Sequence, residues 1–233
     1  MKRKSALLVL ALALPIALAG LVFRPHSTVQ VAQAQTAPLY FPETGHNVGA
    51  PFLFYFENHG GLQTIGYPIT EAFTDPFTGR LVQYFQNVRL ESWPKNPDPY
   101  KVQPGLIGDQ LGKGQPPLAP SQIPFGNNPD CQYFPETGHS LCFEFLKAFK
   151  ARGGIDVFGY PIAEINVENG LTVQYFQRAR MEWHPEYPSG HKVTVGPLGS
   201  IYFDFAGLTP DLLTHVAPIS AREERITQLQ LFP

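Results

Sequence analysis

This sequence predicts an α+β fold: two tandem copies of a small helix-plus-β-hairpin unit joined by a Pro-rich linker. Three observations carry it: an internal repeat, an aromatic-rich chain punctuated by Gly and Pro, and a change from helical to alternating apolar spacing inside each copy. The repeat is explicit. Tyr40-Phe-Pro-Glu-Thr-Gly-His46 recurs unchanged as Tyr133-Phe-Pro-Glu-Thr-Gly-His139, 93 positions on. At the same offset Gly60-Gly61 matches Gly153-Gly154, and Gly66-Tyr-Pro-Ile69 with Glu71 matches Gly159-Tyr-Pro-Ile162 with Glu164. The second copy lacks two residues around positions 75–78. Beyond that gap Val82-Gln-Tyr-Phe-Gln86 matches Val173-Gln-Tyr-Phe-Gln177, Arg89-x-Glu91 matches Arg180-x-Glu182, and Lys101-Val102 matches Lys192-Val193. Self-similarity at a fixed period is the signature of a repeated supersecondary unit. With 24 Pro and 21 Gly the chain is turn-rich, and its 18 Phe, 10 Tyr and 2 Trp supply the apolar area for a packed core.

In the second copy Leu141, Phe145 and Phe149 fall at i, i+4 and i+8, the stripe of a short amphipathic helix, stopped by Gly153 as a left-handed C-cap. Val48, Phe52 and Phe56 repeat the stripe in the first copy, where Pro51 fits only the first turn. Gly66-Tyr67-Pro68 reads as a turn. Residues 81–85 and 88–93 then form a hairpin around Gln86-Asn87. One face carries Val82, Tyr84, Arg89, Glu91 and Trp93. The other carries Leu81, Gln83, Phe85, Val88 and Leu90, is the more apolar, and is expected to pack on the helix. The domain reading is therefore 1–34 leader, 35–111 first unit, 112–130 Pro/Gly-rich linker, 131–207 second unit and 208–233 C-terminal extension, each unit with its own core. In the extension Thr209-Pro210-Asp211 suits the N-cap and first turn of a short helix. Leu229 and Leu231, alternating with Gln228 and Gln230, suit a closing strand.

Lys2, Arg3 and Lys4 precede an apolar run from Ala6 to Phe23, the pattern of a secretory signal. Ala32-Gln33-Ala34 offers a cleavage site. The alternative is an uncleaved anchor, since 18 apolar residues just span a bilayer. With no cysteine near the run, a lipidated N-terminus is excluded. Loss of residues 1–34 removes Lys2, Arg3, Lys4 and Arg24 but no acid, leaving 13 basic and 19 acidic residues, a charge of −6. Nucleic-acid binding needs a basic face, so that class is discarded, together with purely electrostatic attachment to anionic polymers. In an exported chain, Cys131 and Cys142 are expected to pair.

The mixed hairpin face offers candidate binding residues: Tyr84, Arg89, Glu91 and Trp93, with Tyr175, Arg180, Glu182 and His184 as equivalents. Aromatic faces stack on sugar rings while Arg and Glu bond hydroxyls and amides. The competing reading is a solvent-facing set of cross-strand contacts that stabilises the sheet. Glu43/Glu136, Glu71/Glu164 and Glu91/Glu182 are the recurring carboxylates available for glycoside hydrolysis, but each sits in a turn or hairpin with an ordinary structural role. Glu43 suits a helix N-terminus and Glu71 suits unpaired loop amides. His46 and His139 read as turn braces. Zinc spacings, nucleophile elbows, phosphate loops and dinucleotide fingerprints are all missing from the sequence. No catalytic residue, metal or cofactor is expected.

The recurring Tyr-Phe-Pro-Glu-Thr-Gly-His, Gly-Gly, Gly-Tyr-Pro-Ile, Val-Gln-Tyr-Phe-Gln and Arg-x-Glu motifs resemble a repeat of exported bacterial proteins of the green non-sulfur type, often appended to cell-wall hydrolases or peptidases. The match covers nearly all of residues 40–111 and 133–203. Ile65-Gly-Tyr-Pro-Ile-Thr-x-Glu71, with Gly79 and Phe85, is more distantly similar to the LGFP repeat of wall-associated proteins. These resemblances imply an envelope-associated binding role without catalytic residues. The expectation is thus an exported, non-catalytic module that attaches to cell-wall glycan or a surface protein, with no membrane contact beyond an N-terminal anchor. The alternatives are an assembly protein contacting other chains, or a wall-glycan hydrolase using the repeated glutamates.

Overall fold

The Pro-Glu-Thr-Gly run cannot continue a strand, and in the structure it turns the chain back on itself. In this computed structural model, which describes residues 37–126 and 128–220, β1 (Leu39–Phe41) and β2 (His46–Val48) pair antiparallel with Phe41 opposite His46. Gly45 closes the turn through its N–H to the Phe41 carbonyl at 2.8 Å, with a φ of +68° that favours glycine. Two short helices follow, α1 (Phe52–Asn58) and α2 (Gly61–Thr64), separated at Gly60, which is left-handed at φ +85°. A four-stranded antiparallel meander completes the first half: β3 (Phe73–Thr74), β4 (Leu81–Tyr84), β5 (Arg89–Ser92) and β6 (Val102–Pro104), followed by α3 (Ile107–Gln110).

The second half has the same element order. It runs β7 (Cys131–Phe134), β8 (His139–Cys142), α4 (Phe143–Ala151), α5 (Gly154–Phe158), then β9 (Asn166–Glu168), β10 (Leu171–Tyr175), β11 (Arg180–Trp183) and β12 (Val193–Val195), and ends in α6 (Leu198–Phe205). The α+β class is as expected, with six helices and four small antiparallel sheets among the described residues. The hairpin register is also as expected: Tyr84 faces Arg89 and Val82 faces Glu91, with Phe85 N–H on the Val88 carbonyl around Gln86-Asn87. Each hairpin, however, is the middle of a four-stranded sheet. Val48 and Leu141 are fully buried but belong to β2 and β8, not to the helices. An i, i+4 spacing also arises when a strand runs directly into a helix.

The expectation that each unit buries its own core is corrected. One cluster joins Phe41, Phe52, Phe56 and Phe85 to Phe134, Phe149, Phe158 and Phe176, with α2 lying against β12 and α5 against β6. The closing helices also cross over. α3 packs on the second half, with Ile107 among Ile162, Val173 and Tyr175, and α6 packs on the first, with Phe203 against Val82 and Tyr84. Gly108 donates to the Gln177 carbonyl at 2.8 Å, and Ser200 donates to the Gln86 carbonyl at 3.0 Å. A Cβ on Gly108 would run into the Phe176 carbonyl, and one on Gly199 into that of Phe85, so both approaches require glycine.

The segments after these helices continue the exchange. Leu118 N–H bonds the Gly138 carbonyl at 2.9 Å, so the Pro-rich stretch lies on the second half's turn. Val216 N–H bonds the Gly45 carbonyl at 2.8 Å, so the extension covers the first half's turn. Thr209 caps a 3-10 turn at Pro210–Leu213 as expected, accepting from Asp211 N–H. Residues 1–34 and the closing strand expected near Leu229 and Leu231 lie outside the described residues. No helix among the described residues is long and apolar enough to cross a membrane.

Cys131 and Cys142 face each other across β7 and β8 and are joined in a disulfide, which fits an extracellular or otherwise oxidising environment. Closing so short a loop is worth about 3 kcal/mol in the chain-entropy model. Reduction is expected to move a single calorimetric transition down by about 6–12 °C. Two separate transitions would contradict the shared core.

Candidate functional site

Most residues of the repeated motifs are consumed in holding the fold. Gln83 Nε2 donates to the carbonyls of Asn47 and Thr70, and Gln174 does the same to Ser140 and Ala163, pinning each sheet to the preceding turn. Gln86 and Gln177 accept from the N–H groups of Tyr67 and Tyr160. Glu71 accepts from Asn47 N–H at 2.7 Å and Glu164 from Ser140 N–H at 2.9 Å, the loop-amide role expected of Glu71. Glu43 and Glu136 are exposed in their turns.

His46 and His139 are buried braces beneath the turns. His139 spans Glu164 and the Gln115 carbonyl. His46 is 1% exposed, with Nδ1 3.4 Å from Glu71 and its ring beside His215. Burial holds its pKa below the ordinary 6.5, His215 adds to the lowering, and Glu71 opposes it. The unfolded chain therefore takes this proton first. Stability is fully present above pH 6.5 and falls as pH drops below it. His46→Gln is expected to flatten that dependence in urea midpoints measured between pH 7.5 and 5, and an unchanged slope would count against it.

The hairpin face expected to meet solvent is covered. Tyr84 is 0%, Arg89 3% and Glu91 5% exposed, beneath Phe203 and Tyr202 of α6. Arg89 pairs with Glu91, reaches Gln110 Oε1 at 3.3 Å and the Tyr84 hydroxyl at 3.5 Å, and lies 4.0 Å from Asp75. Burial alone would lower the Arg89 pKa, but Glu91 and Tyr84 raise it overall. Burial also raises that of Tyr84. In the second half Arg180 pairs with Glu182 and bonds the Tyr175 hydroxyl, which in turn donates to Glu168 at 2.6 Å. Burial acts to lower the Arg180 pKa, and Tyr175 and Glu182 outweigh it. The side chains proposed from sequence are thus brought together as two ion-pair clusters. Tyr84, Arg89, Glu91, Tyr175 and Glu182 are buried; Arg180, Trp93 and His184 are half-buried.

Trp93 and His184 open the turns after β5 and β11, and these turns share their closing backbone hydrogen bonds. Trp93 N–H bonds the Lys101 carbonyl and His184 N–H the Lys192 carbonyl, each at 2.7 Å, and Asn96 and Tyr187 close back on the first residue. The side chains differ. Trp93-Pro94-Lys95-Asn96 stands where His184-Pro185-Glu186-Tyr187 stands in the second half, so Lys95 replaces a carboxylate. His184 stacks on Tyr187 and is bonded by Glu186 at 2.9 Å, with Glu182 3.4 Å away. Trp93 instead carries the Arg80 guanidinium 3.5 Å from its ring centroid, and Arg80 Nη1 lies 3.3 Å from Glu91.

Arg80 follows the β3–β4 turn, where the first copy has its two extra residues. Asp75 shapes that turn by accepting from the N–H groups of Phe77 and Thr78. Between it and the Trp93 turn lies an open cleft of about 360 Å³, walled by Thr78, Gly79 and Arg80 and by Trp93, Lys95 and Asn96. Sequence reasoning found Trp93 but missed Arg80 and Lys95. The signals were the insertion and the Lys95/Glu186 charge reversal. Among the described residues no group of three His, Cys, Asp or Glu side chains is placed to hold a metal. A scan against protein-family models and a search of curated protein sequences found no match for this chain.

Proposed function

We propose that this chain is an exported, non-catalytic binding module, two copies of one repeat unit linked by the Pro-rich segment, which attaches to cell-wall glycan or a surface partner through the cleft beside Trp93. One observation carries the reading: two turns closed by the same backbone hydrogen bonds diverge in side chains, and the first adjoins a cleft beside an insertion that the second lacks. Shared scaffold explains what the copies keep in common, whereas it does not explain a charge reversal between them. Of the three repeated glutamate pairs, Glu71/Glu164 are spent on backbone amides and Glu91/Glu182 on arginines, which favours binding over hydrolysis. The disulfide, the N-terminal sequence pattern and the motif resemblance favour the envelope.

The test is co-sedimentation with isolated cell walls. Wild-type chain is expected to pellet with the walls. Lys95→Glu, which copies the second half, is expected to cut retention severalfold without moving Tm, because Lys95 is exposed. Chain that stays in the supernatant would overturn the reading.

A further inference from the structure

The two cleft-lining charges are both cations. Arg80 reaches one oxygen of Glu91, whose other oxygen is taken by Arg89, while Asp75 also faces Arg89. The acids Glu91 and Asp75 are therefore matched by Arg80 and Arg89, and the Lys95 ammonium is left over. This local excess stands in a chain of net charge −2. The Arg80 guanidinium lies over the Trp93 ring, 3.5 Å from its centroid, and a guanidinium held in place in this way suits recognition of a carboxylate. Thr78 and Asn96 add a hydroxyl and an amide suited to sugar hydroxyls, and Gly79 leaves open space beyond its Cα. Phe77, the residue before this wall, is 74% exposed and offers an apolar surface.

We infer that the cleft takes a single sugar ring bearing a carboxylate. The inference rests on the glycan-binding reading above and narrows it. Arg80 and Lys95 hold the carboxylate, while the hydroxyl and amide groups hold the ring. The acidic turn around Glu186 rejects the same ligand, so each chain carries one such site. A single carboxylate also suits an overall acidic chain, which would repel a long polyanion.

The test uses the full chain carrying Trp183→Phe, which leaves Trp93 as its single indole, with fluorescence as the readout. Three probes are titrated: an N-acetylglucosamine–N-acetylmuramic acid disaccharide, a glucuronate-containing tetrasaccharide, and neutral chitotetraose. Saturable binding about tenfold tighter for an acidic probe than for chitotetraose is expected, as one charge-assisted pair can supply. The two acidic probes separate a muramic source from a uronic one. Arg80→Gln is expected to abolish the preference, with the three probes then bound about equally, and to lower Tm modestly because Glu91 loses a partner. Equal binding of all three probes with Arg80 in place, no response to any of them, or a preference that survives Arg80→Gln overturns the acidic-ring inference. The wall-binding reading falls separately, if wild-type chain fails to pellet with walls.

Discussion

Residues 35–126 expressed alone are expected to give no cooperatively folding monomer. Without α6 the Val82 and Tyr84 face loses Phe203, Tyr202 and Leu212, and without residues 215–219 the Gly45 turn loses its cover. Burying a side chain of this size is worth about 1.5–3 kcal/mol. The exposed area, with the lost half of the main cluster, thus exceeds the 5–15 kcal/mol by which a typical domain is stable. Mixing with residues 127–220 is expected to restore the near-ultraviolet circular dichroism of the intact chain, because that cut keeps every crossing segment. Self-pairing of the first fragment would follow the same physics, since α3 and α6 are equivalent closures. A sharp thermal transition from a monomeric 35–126, sized by light scattering, would refute the shared core.

Arg89→Leu is expected to cost about 3–5 kcal/mol in urea unfolding, the range seen when one partner of a buried ion pair is removed. Arg89 and Glu91 sit under α6 with Tyr84; without Arg89, Glu91 keeps Arg80 on one oxygen only, and its other oxygen and the buried Asp75 lose their cation. Adding Glu91→Leu is expected to recover much of the loss, since two well-packed apolar groups replace a charge pair at little net cost. Arg180→Leu should cost less, because its side chain is 13% exposed against 3% for Arg89. A loss below 1 kcal/mol in Arg89→Leu would show that the pair is solvated. Tyr84→Ala belongs with these core changes, being fully buried, and is not a probe of ligand binding.

How much was legible follows from the range of each interaction. The hairpin register could be read because a period of two and a two-residue turn leave one alignment that keeps Phe85, Val88 and Leu90 on a common face. The Thr-Gly-His turn and the disulfide were legible too, as features that lie within a dozen residues of sequence. The candidate site was half legible. Trp93 was named as part of a mixed hairpin face, but the cleft needed Arg80 and the β3–β4 turn on its other wall. Arg89 and Glu91 were misplaced in solvent, because charged residues alternating with apolar ones suggest an outer face until something covers them.

What the sequence determined by itself, then, was the local grammar: the repeat, the turns, the strand register and the apolar faces in need of a partner. Tertiary structure decided which partner each face received. Phe203 covers Tyr84 from more than a hundred residues away, and Ile107 covers Tyr175 across the Pro-rich stretch. The physical reason is the repeat itself. The two halves present equivalent sheet faces, Val82 and Tyr84 in the first and Val173 and Tyr175 in the second, and each is closed by the helix that ends the other half. The close approaches are equivalent in the two halves, Gly108 against the Phe176 carbonyl and Gly199 against that of Phe85, so they permit each closure without choosing its partner, and no local motif reveals the crossing.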